Sequence, residues 1–560
     1  MVYDHLSIIV FRNISTKIRL VIMTFTSLLF ALFVGITLVV YYVLPAKKYQ
    51  WAVLLAAGYF FYLYNSYRYA AFILATTITI YAAGRAISKV KTETSQKIKE
   101  MKGEWTRDEK KAFKQQAEKK KKAILTITLL FNFGILFILK YLNFMAGGLM
   151  HLLGGGSGDA QIISILLPLG ISFYTFQATG YLIDVYRDTC DAENNLLKFA
   201  LFVSFFPQIV QGPISEFGQL QPQLTGEHHA EWDHFKLGGE LILWGLFKKL
   251  VIADRMFAAI NTVTGDYKAY PGEMILFAAL MYALQLYADF SGGIDIARGV
   301  AELFGIRLEQ NFRQPYFSRS INEYWRRWHI TLGAWMKKYV FYTLAVSNLF
   351  LNVSKSMGKS RFGSTAAGKH ISRTFPTAMA SFIVFLLIGI WHGANSRYIG
   401  FGVWNGFVIM FSTLMAPAYE WALKKLHINA EAAWWKLFQM VRTFIVVLIG
   451  YYFDIAPDMK GAIDMMVRSV RDCHLPITVE QIHSLDLRLI DAAIIMYGAA
   501  IMLYFSIRLE KTGLEAPGDL INKRPAWLQW IVILIGVLSV ITFGMYGSGT
   551  EGTNFVYMGF

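Results

Sequence analysis

Apolar runs long enough to cross a bilayer recur along the whole chain, and they constrain its fold more than any other feature. A hydrocarbon core of about 30 Å takes about 20 helical residues, and roughly 11–14 stretches after residue 22 approach or exceed that length. The runs are continuous, whereas an outer-membrane barrel shows alternating segments of about ten residues. The sequence therefore predicts an all-α, polytopic membrane protein in which several helices are short or re-entrant.

The formal net charge of +16 is concentrated between two apolar runs, in the segment 89–122. The positive-inside rule makes this segment a cytoplasmic loop. Its lysines at 119–122 directly precede an apolar run, which predicts an amphipathic or solvated helix pair against anionic headgroups. The basic charge thus indicates membrane lipid as a partner and argues against nucleic acid.

The remaining organisation is that of one membrane domain, residues 23–560, preceded by a basic segment, residues 1–22. Met23 opens the first apolar run, so either it is the true start or the basic stretch fixes the orientation. That run leads straight into further runs, which argues against a cleavable signal. No internal repeat suggests inverted transporter halves.

Several kinds of chemistry lack their motifs. Only Cys190 and Cys473 are present, without metal-ligand spacing, so neither a disulfide framework nor a metal site is predicted. The sequence contains no GxSxG, Walker A or HExxH motif and no GxGxxG in a strand-to-helix setting, which argues against serine hydrolases, P-loop enzymes, zinc proteases and Rossmann enzymes.

Two histidines lie in unusual apolar surroundings. In "EYWRRWHITLGAWMKKY" (323–339), a helical period places His329 on one stripe with Trp325, Trp328, Leu332 and Met336, while Arg326 and Arg327 point away. His392 ends the apolar run of "SFIVFLLIGIWHGANS" (381–396), and Gly393 allows the backbone to break there. A poorly hydrated imidazole favours its neutral form and suits a general base acting on a hydroxyl. Either histidine is also compatible with a structural role.

Acidic and amide side chains provide further candidates. Asp289 and Asp295 lie inside an apolar run in "YADFSGGIDIARG" (287–299), where we expect a helix broken at the glycines and a pair between Asp295 and Arg298. Asp289 is a structural staple, an orienter of a catalytic histidine, or an ion or proton site. Gln211 lies in a segment interrupted by prolines, which forms either the wall of a polar cavity or an ordinary loop at the end of a helix.

Three basic residues follow in "LFKKLVIADR" (246–255). Lys248, Lys249 and Arg255 either mark a cytoplasmic boundary or meet the phosphates of a donor cofactor.

Six segments, in this order, carry a resemblance that covers nearly the whole chain after Met23: "LPLGISFYTFQATGYLIDVYR" (167–187), "FFPQIVQGPI" (205–214), "GLFKKLVIADR" (245–255), "YADFSGGIDIARGVAELFGI" (287–306), "NFRQPYFSRSINEYWRRWHITLGAWMKKYVF" (311–341) and "WHGANSRYIGFGVWNG" (391–406). With "EYWRRWH" and "WHGA" together, the chain resembles the membrane-bound O-acyltransferase (MBOAT) superfamily. Within it, the sequence is most similar to the alginate O-acetyltransferase-like bacterial branch.

The resemblance implies a ring of helices around a central tunnel, with 287–406 as the catalytic core segment. It implies that His392 is the catalytic histidine and His329 a second required one; supporting residues would be Asp289, Trp328, Trp391, Asn311, Arg326 and Gln211. The implied donor is acetyl-CoA, and the implied location is the bacterial cell membrane. The implied acceptor is a cell-surface polysaccharide, reached directly or through an extracytoplasmic SGNH-type acetyltransferase partner.

Two departures leave the acyl group and the acceptor open. "YADFSGGID" replaces the usual "YFDFSGYSD", and "GVWNG" stands where many relatives carry "GLLHG". One alternative is D-alanyl transfer to teichoic acid from a carrier-protein thioester. An alternative of another class is a transporter or channel, for which buried carboxylates beside glycines are also typical.

Overall fold

The computed structural model describes residues 23–152, 168–485, 487–546 and Phe555, and in this part of the chain it is built from helices. The basic segment 1–22 lies outside the described residues. An isolated antiparallel bridge joins Phe312 to Trp328. Seven helices are long and apolar enough to cross a membrane, or eight if a bent pair of helices counts as one span. The prediction of an all-α, polytopic membrane protein is confirmed.

The α-helices of the described residues are α1 (Leu28–Val43), α2 (Gln50–Ser66), α3 (Ala70–Glu100), α4 (Arg107–Leu152), α5 (Ile171–Tyr186), α6 (Leu196–Ser204), α7 (Phe206–Ile209), α8 (Phe217–Thr225), α9 (Trp232–Leu246), α10 (Asp254–Gly265), α11 (Gly272–Leu303), α12 (Ile321–Arg327), α13 (Ile330–Met336), α14 (Tyr342–Ala345), α15 (Asn348–Lys359), α16 (Ala366–His392), α17 (Ser396–Leu414), α18 (Ala416–Lys425), α19 (Ala433–Ile455), α20 (Met459–Arg471), α21 (Val479–His483), α22 (Leu489–Thr512), α23 (Pro517–Ile521) and α24 (Ala526–Phe543). Two π-helical segments follow α9 and α13, at Phe247–Ala253 and Lys337–Phe341. Short 3₁₀ turns occupy Lys47–Tyr49, Tyr67–Tyr69, Tyr267–Ala269, Pro315–Phe317 and Phe362–Ser364.

Among the described residues, fewer helices are long and apolar enough to cross a membrane than the roughly 11–14 spans that the apolar runs predict. Several runs instead form short helices inside the protein. The run near 195–211 forms α6 and α7, and Phe199, Phe202 and Phe206 in it are fully buried. Apolar length alone does not separate a lipid-facing helix from one that packs against other helices.

The helix α11 is continuous through Ser291, Gly292 and Gly293, so the predicted break at the glycines is wrong. The glycines instead allow close packing against α9. A Cβ atom on Gly292 would lie 2.9 Å from the carbonyl oxygen of Gly245, and one on Gly299 would lie 2.6 Å from that of Gly238. Small residues in register are typical of membrane helices whose backbones approach closely.

A second glycine-lined contact joins α16 to α17, the two helices around His392. A Cβ atom on Gly389 would collide with the carbonyl oxygen of Tyr398, and one on Gly402 would lie 2.7 Å from that of Phe385. The turn between the helices is held by Asn395, whose side chain accepts a hydrogen bond from the backbone N–H of Arg397 at 3.0 Å. The position of His392 is therefore set by backbone-to-backbone packing.

The basic segment 89–122 is helical almost throughout, because it consists of the end of α3 and the start of α4. The turn between them is closed by Trp105 and Phe113, whose ring centroids lie 5.0 Å apart. Most of its lysines are exposed to solvent, whereas Lys121 is buried and pairs with Glu118 at 2.7 Å.

We expect Gly389→Ala to destabilise the protein, because the added methyl group has to separate α16 from α17. Overpacking of this kind costs roughly 1–3 kcal/mol. Gly134→Ala is the matched control, since nothing lies within 4 Å of a Cβ atom at Gly134 in α4. Thermal unfolding in detergent measures both variants. Equal midpoints for the two would contradict the assignment of Gly389 to a tight helix contact.

Candidate active site

A cavity of about 740 Å³ lies between α12, α13, α16, α17 and α19, and both His329 and His392 line it. Along α16, its wall runs from Ser381 through Phe385 and Ile388 to His392. The eleven steps along the helix from Ser381 to His392 correspond to a depth of about 16 Å at about 1.5 Å per residue. One end, which we call the mouth, is lined by Ser320, Asn322, Arg326 and Lys337. The other, the deep end, is lined by Ile388, His392, Phe401, Tyr451 and Asp454.

His392 is the last residue of α16, as the sequence predicts, and its ring is fixed by aromatic neighbours. It stacks on Tyr398 at 6.1 Å and lies 5.1 Å from Trp391 between ring centroids. A Cβ atom on Gly393 would lie 2.7 Å from the Tyr398 ring, so the glycine makes this stacking possible. Lys140 of α4 donates a hydrogen bond to the Trp391 carbonyl at 2.7 Å. A cation at this position stabilises the C-terminal end of α16.

His329 does not continue a helix, so the single helical stripe predicted for 325–336 is wrong. It lies between α12 and α13 in the left-handed region at φ 46°, which is uncommon outside glycine. The break follows from pairing with the preceding segment. The Ile330 N–H donates to the Asn311 carbonyl at 3.0 Å, and Arg313 N–H donates to the Arg327 carbonyl at 3.0 Å. The predicted stripe residues nevertheless all line the cavity: Trp325, Trp328, His329, Leu332 and Met336.

The side chain of Asn311 orients His329. Its Oδ1 accepts hydrogen bonds from the backbone N–H and hydroxyl of Thr331, both at 2.9 Å, and lies 3.4 Å from His329 Nδ1. Because a backbone N–H can only donate, this Asn311 atom is the oxygen, and the proton of His329 belongs on Nδ1. The lone pair of the neutral ring is then on Nε2.

The electrostatics of His329 favour that neutral ring. His329 lies outside the candidate spans, and its burial lowers the pKa to about 3, with a smaller contribution from the charge of His392. The imidazole of His329 is therefore uncharged throughout the physiological pH range.

The mouth of the cavity is basic and lies on the same side of the protein as the basic segment 89–122. Arg326 and Lys337 are exposed, and neither forms an ion pair with the residues that the structure describes. Lys338, which follows Lys337, pairs with Asp184 at 3.0 Å. Asp188, four residues after Asp184, pairs at 2.8 Å with Lys91 of the basic segment. Burial lowers the pKa of Lys338, but hydrogen bonds to Glu216 and Asp184 outweigh this effect, so the pKa is raised.

The three residues predicted to meet donor phosphates are instead matched by carboxylates inside the protein. Lys248 pairs with Asp295 at 2.7 Å, and Lys249 pairs with Asp254 at 2.8 Å and with Asp289 at 2.6 Å. Arg255 pairs with Asp491. Lysines buried in this way do not face a soluble ligand, so the phosphate-binding prediction for these three residues is corrected.

The main partner of Asp295 also differs from the prediction. Arg298 lies 3.8 Å from it, whereas Lys248 lies at 2.7 Å. The shorter contact was not visible in the sequence because it joins positions 47 residues apart.

Other predicted site residues lie at varying distances from the cavity. Trp328 and Arg326 line it, although the helical stripe placed Arg326 on the opposite side. Trp391 is buried between the two histidines, at 6.5 Å from His329. Gln211 is not among the lining residues, and it packs against Gly293 of α11 instead.

Sequence reasoning missed Lys140 and Asp454. Asp454 lies in "YYFDIAP" near the end of α19 and lines the deep end of the cavity. An ionisable residue inside an apolar run is the signal that would have identified both. In the described part of the chain, no group of three or more His, Cys, Asp or Glu side chains is arranged to hold a metal ion.

Comparisons with known proteins agree with this arrangement. Residues 192–359 match the model of the membrane-bound O-acyltransferase family. The chain is 33% identical over 451 residues to a probable alginate O-acetylase AlgI of Pseudomonas aeruginosa, covering 79% of this chain and 73% of that protein. It is 28% identical to a peptidoglycan O-acetyltransferase of Helicobacter pylori, covering 63% and 67%. It is 26% identical to a teichoic acid D-alanyltransferase of Bacillus subtilis, covering 51% and 67%.

The chain belongs to the membrane-bound O-acyltransferase family, in its alginate O-acetylase-like branch. It is an enzyme, an O-acyltransferase of the acetyltransferase kind, and a multi-pass membrane protein. These comparisons confirm the resemblance, and they give no support to a transporter or channel.

We expect Asn311→Ala to lower turnover by roughly tenfold to hundredfold, because the Thr331 N–H and His329 Nδ1–H lose their acceptor, at about 1–3 kcal/mol for unsatisfied groups. Asn311→Asp keeps an oxygen acceptor there and should retain more activity. Acyl transfer in membranes containing equal amounts of each variant measures the difference. If the alanine variant were as active as the aspartate variant, or more active, the orienting role of Asn311 would be contradicted.

Proposed function

We propose that this enzyme moves an acetyl group from cytoplasmic acetyl-CoA across the bacterial cell membrane to a hydroxyl of a cell-surface polysaccharide or of an extracytoplasmic SGNH-type partner protein. The relatives named alginate O-acetylase and peptidoglycan O-acetyltransferase support a polysaccharide as the final acceptor. The observation that carries the proposal is that two imidazoles 63 positions apart in the chain line one cavity with an exposed basic mouth.

The side of the donor follows from charge. The positive-inside rule assigns the basic segment 89–122 to the cytoplasm, and the mouth lies on the same side of the protein. Arg326 and Lys337 are suited to the phosphates of the CoA nucleotide, since exposed cations without an internal partner are available to a soluble anion. The largely apolar interior then accommodates the thioester arm.

The reaction assigns a role to each histidine. His392 removes the proton of the acceptor hydroxyl, whose oxygen attacks the thioester carbonyl; a C–O bond forms, the C–S bond breaks, and the proton passes to the CoA thiolate. His329, held by Asn311, positions the reacting groups and stabilises the charge that develops on the carbonyl oxygen. General-base assistance accounts for about 10²- to 10⁴-fold, so positioning and exclusion of water supply the rest.

His392→Ala should abolish acetyl transfer, with a loss of at least roughly 10²-fold, because the acceptor hydroxyl loses its base. The measurement is transfer of label from radiolabelled acetyl-CoA to membrane acceptors, at equal amounts of folded protein. His370→Gln is the matched control, since His370 is on the same helix, bonds the Thr413 carbonyl and does not line the cavity. Near-normal turnover of the His392 variant would refute the assignment.

The same membranes also separate the two donor classes. We expect label from acetyl-CoA and none from a D-alanyl carrier protein. Transfer from the loaded carrier alone would instead identify D-alanylation, the activity named for the Bacillus subtilis relative.

Arg326→Ala combined with Lys337→Ala should raise KM for acetyl-CoA by roughly two- to thirtyfold with little change in kcat, because two partly solvated charge contacts contribute about 0.2–1 kcal/mol each. The effect should shrink as ionic strength rises. Lys268→Ala removes an exposed charge outside the cavity and controls for net charge. An unchanged KM would show that the donor phosphates bind elsewhere.

A further inference from the structure

Asp454 occupies the end of the cavity that lies furthest from the basic mouth. Arg442, earlier on α19, donates a hydrogen bond to the Arg319 carbonyl beside the mouth at 2.9 Å. Asp454 follows twelve residues later, which is about 18 Å further along the helix. It lines the same cavity as His329 and His392.

The surroundings of Asp454 belong to the opposite face of the protein. The chain leaves α19 at Ala456 and enters α20, whose C-terminal neighbour Asp472 accepts a hydrogen bond from the Gly272 N–H at the start of α11. The other end of α11 lies on the mouth side, where Arg298 pairs with Glu515 at 3.0 Å. Because α11 has 32 residues and is about 48 Å long, its two ends mark the two faces.

Asp454 differs from the other buried aspartates in its bonding. The aspartates at 184, 254, 289, 295 and 491 each form an ion pair. Asp454 Oδ1 is buried and accepts no hydrogen bond from the residues that the structure describes, and no ion pair involves it there. A carboxylate without a partner at membrane depth is costly, so an unmatched one is a candidate for binding a substrate.

Arg397 does not share a hydrogen bond with Asp454. Arg397 acts on it electrostatically, but the hydrogen bonds of Arg397 go to the Ala456 carbonyl and, at 3.0 Å, to the Tyr398 hydroxyl. Arg397 thus holds the Tyr398 ring that stacks on His392, and Asp454 lines the cavity without a hydrogen bond to Arg397.

We propose that Asp454 is an acceptor-binding residue whose side-chain carboxyl group accepts a hydrogen bond from a second hydroxyl of the acceptor, next to the hydroxyl that His392 deprotonates. This inference rests on the proposed function and narrows the acceptor to a polyhydroxylated one, such as a sugar with neighbouring hydroxyl groups. The oxygens of a carboxyl group accept hydrogen bonds from sugar hydroxyls, whereas phosphate oxygens have no proton to donate to them.

The test compares Asp454→Leu and Asp454→Asn with the wild type in membranes containing equal amounts of each protein, with acetyl-CoA as donor and acceptor polysaccharide from the same cells. The leucine variant should lose roughly tenfold to hundredfold in kcat/KM for the acceptor, the range expected when a buried hydroxyl of the acceptor is left without a hydrogen-bond partner, and the asparagine variant should lose less. KM for acetyl-CoA should stay unchanged in both. Asp266→Asn, an exposed aspartate outside the cavity, is the control.

Thermal unfolding distinguishes substrate binding from a structural role. Removing an unpaired buried carboxylate should leave the midpoint of Asp454→Leu equal or higher, whereas a structural residue would lower it. Wild-type acceptor kinetics in the leucine variant, a raised KM for acetyl-CoA, or a lower midpoint would overturn the inference. Failure of the proposed function appears separately, as wild-type protein that transfers nothing from acetyl-CoA.

Discussion

The matching of buried charges determines most of this structure. Lys248, Lys249 and Arg255 enter the protein interior on one π-helical segment and the start of α10, and each finds a carboxylate on another helix. Breaking a buried pair leaves an uncompensated charge at a cost of about 3–5 kcal/mol, so these contacts fix which helices are neighbours. The same need to match buried charges distinguishes structural residues from those of the candidate active site. A charge matched inside the protein holds helices together, whereas Asp454, which has no such match among the described residues, faces the cavity.

Local backbone geometry then brings the two histidines to one cavity. His392 is carried by α16, whose approach to α17 is limited only by glycine backbones, and Gly393 leaves room for the Tyr398 ring. His329 lines the same cavity for a different reason. It adopts a left-handed backbone conformation between two short helices, and Asn311 holds its ring. Uncommon conformations of this kind persist where the surrounding contacts determine them, and they are concentrated at functional sites.

The sequence predicts the parts of this arrangement that depend on neighbours along the chain. Apolar runs gave the membrane class, and "IGIWHGA" gave the helix end at His392. Prediction from the sequence failed where contacts between distant segments determine the structure. The glycines at 292 and 293 suggested a break because their packing partners, Gly245 of α9 and Gln211, are distant in the chain. The cationic cluster at 248–255 suggested phosphate binding because its carboxylates lie as many as 236 residues away. The predicted stripe at 325–336 identified the side chains that line the cavity. It did so from a single helix, although the backbone pairing with Asn311 interrupts that helix.

Among the described residues that line the cavity, the basic ones lie at one end, and this suits transfer between two compartments. Arg326 and Lys337 at the mouth favour an anionic donor, whereas no Lys or Arg lines the deep end. In the proposed reaction the phosphates of the CoA donor therefore stay at the mouth, while its uncharged acetyl group continues to the acceptor near Asp454. Directional transfer then needs no movement of the cofactor through the membrane. It needs only that the two imidazoles lie where the donor and the acceptor meet.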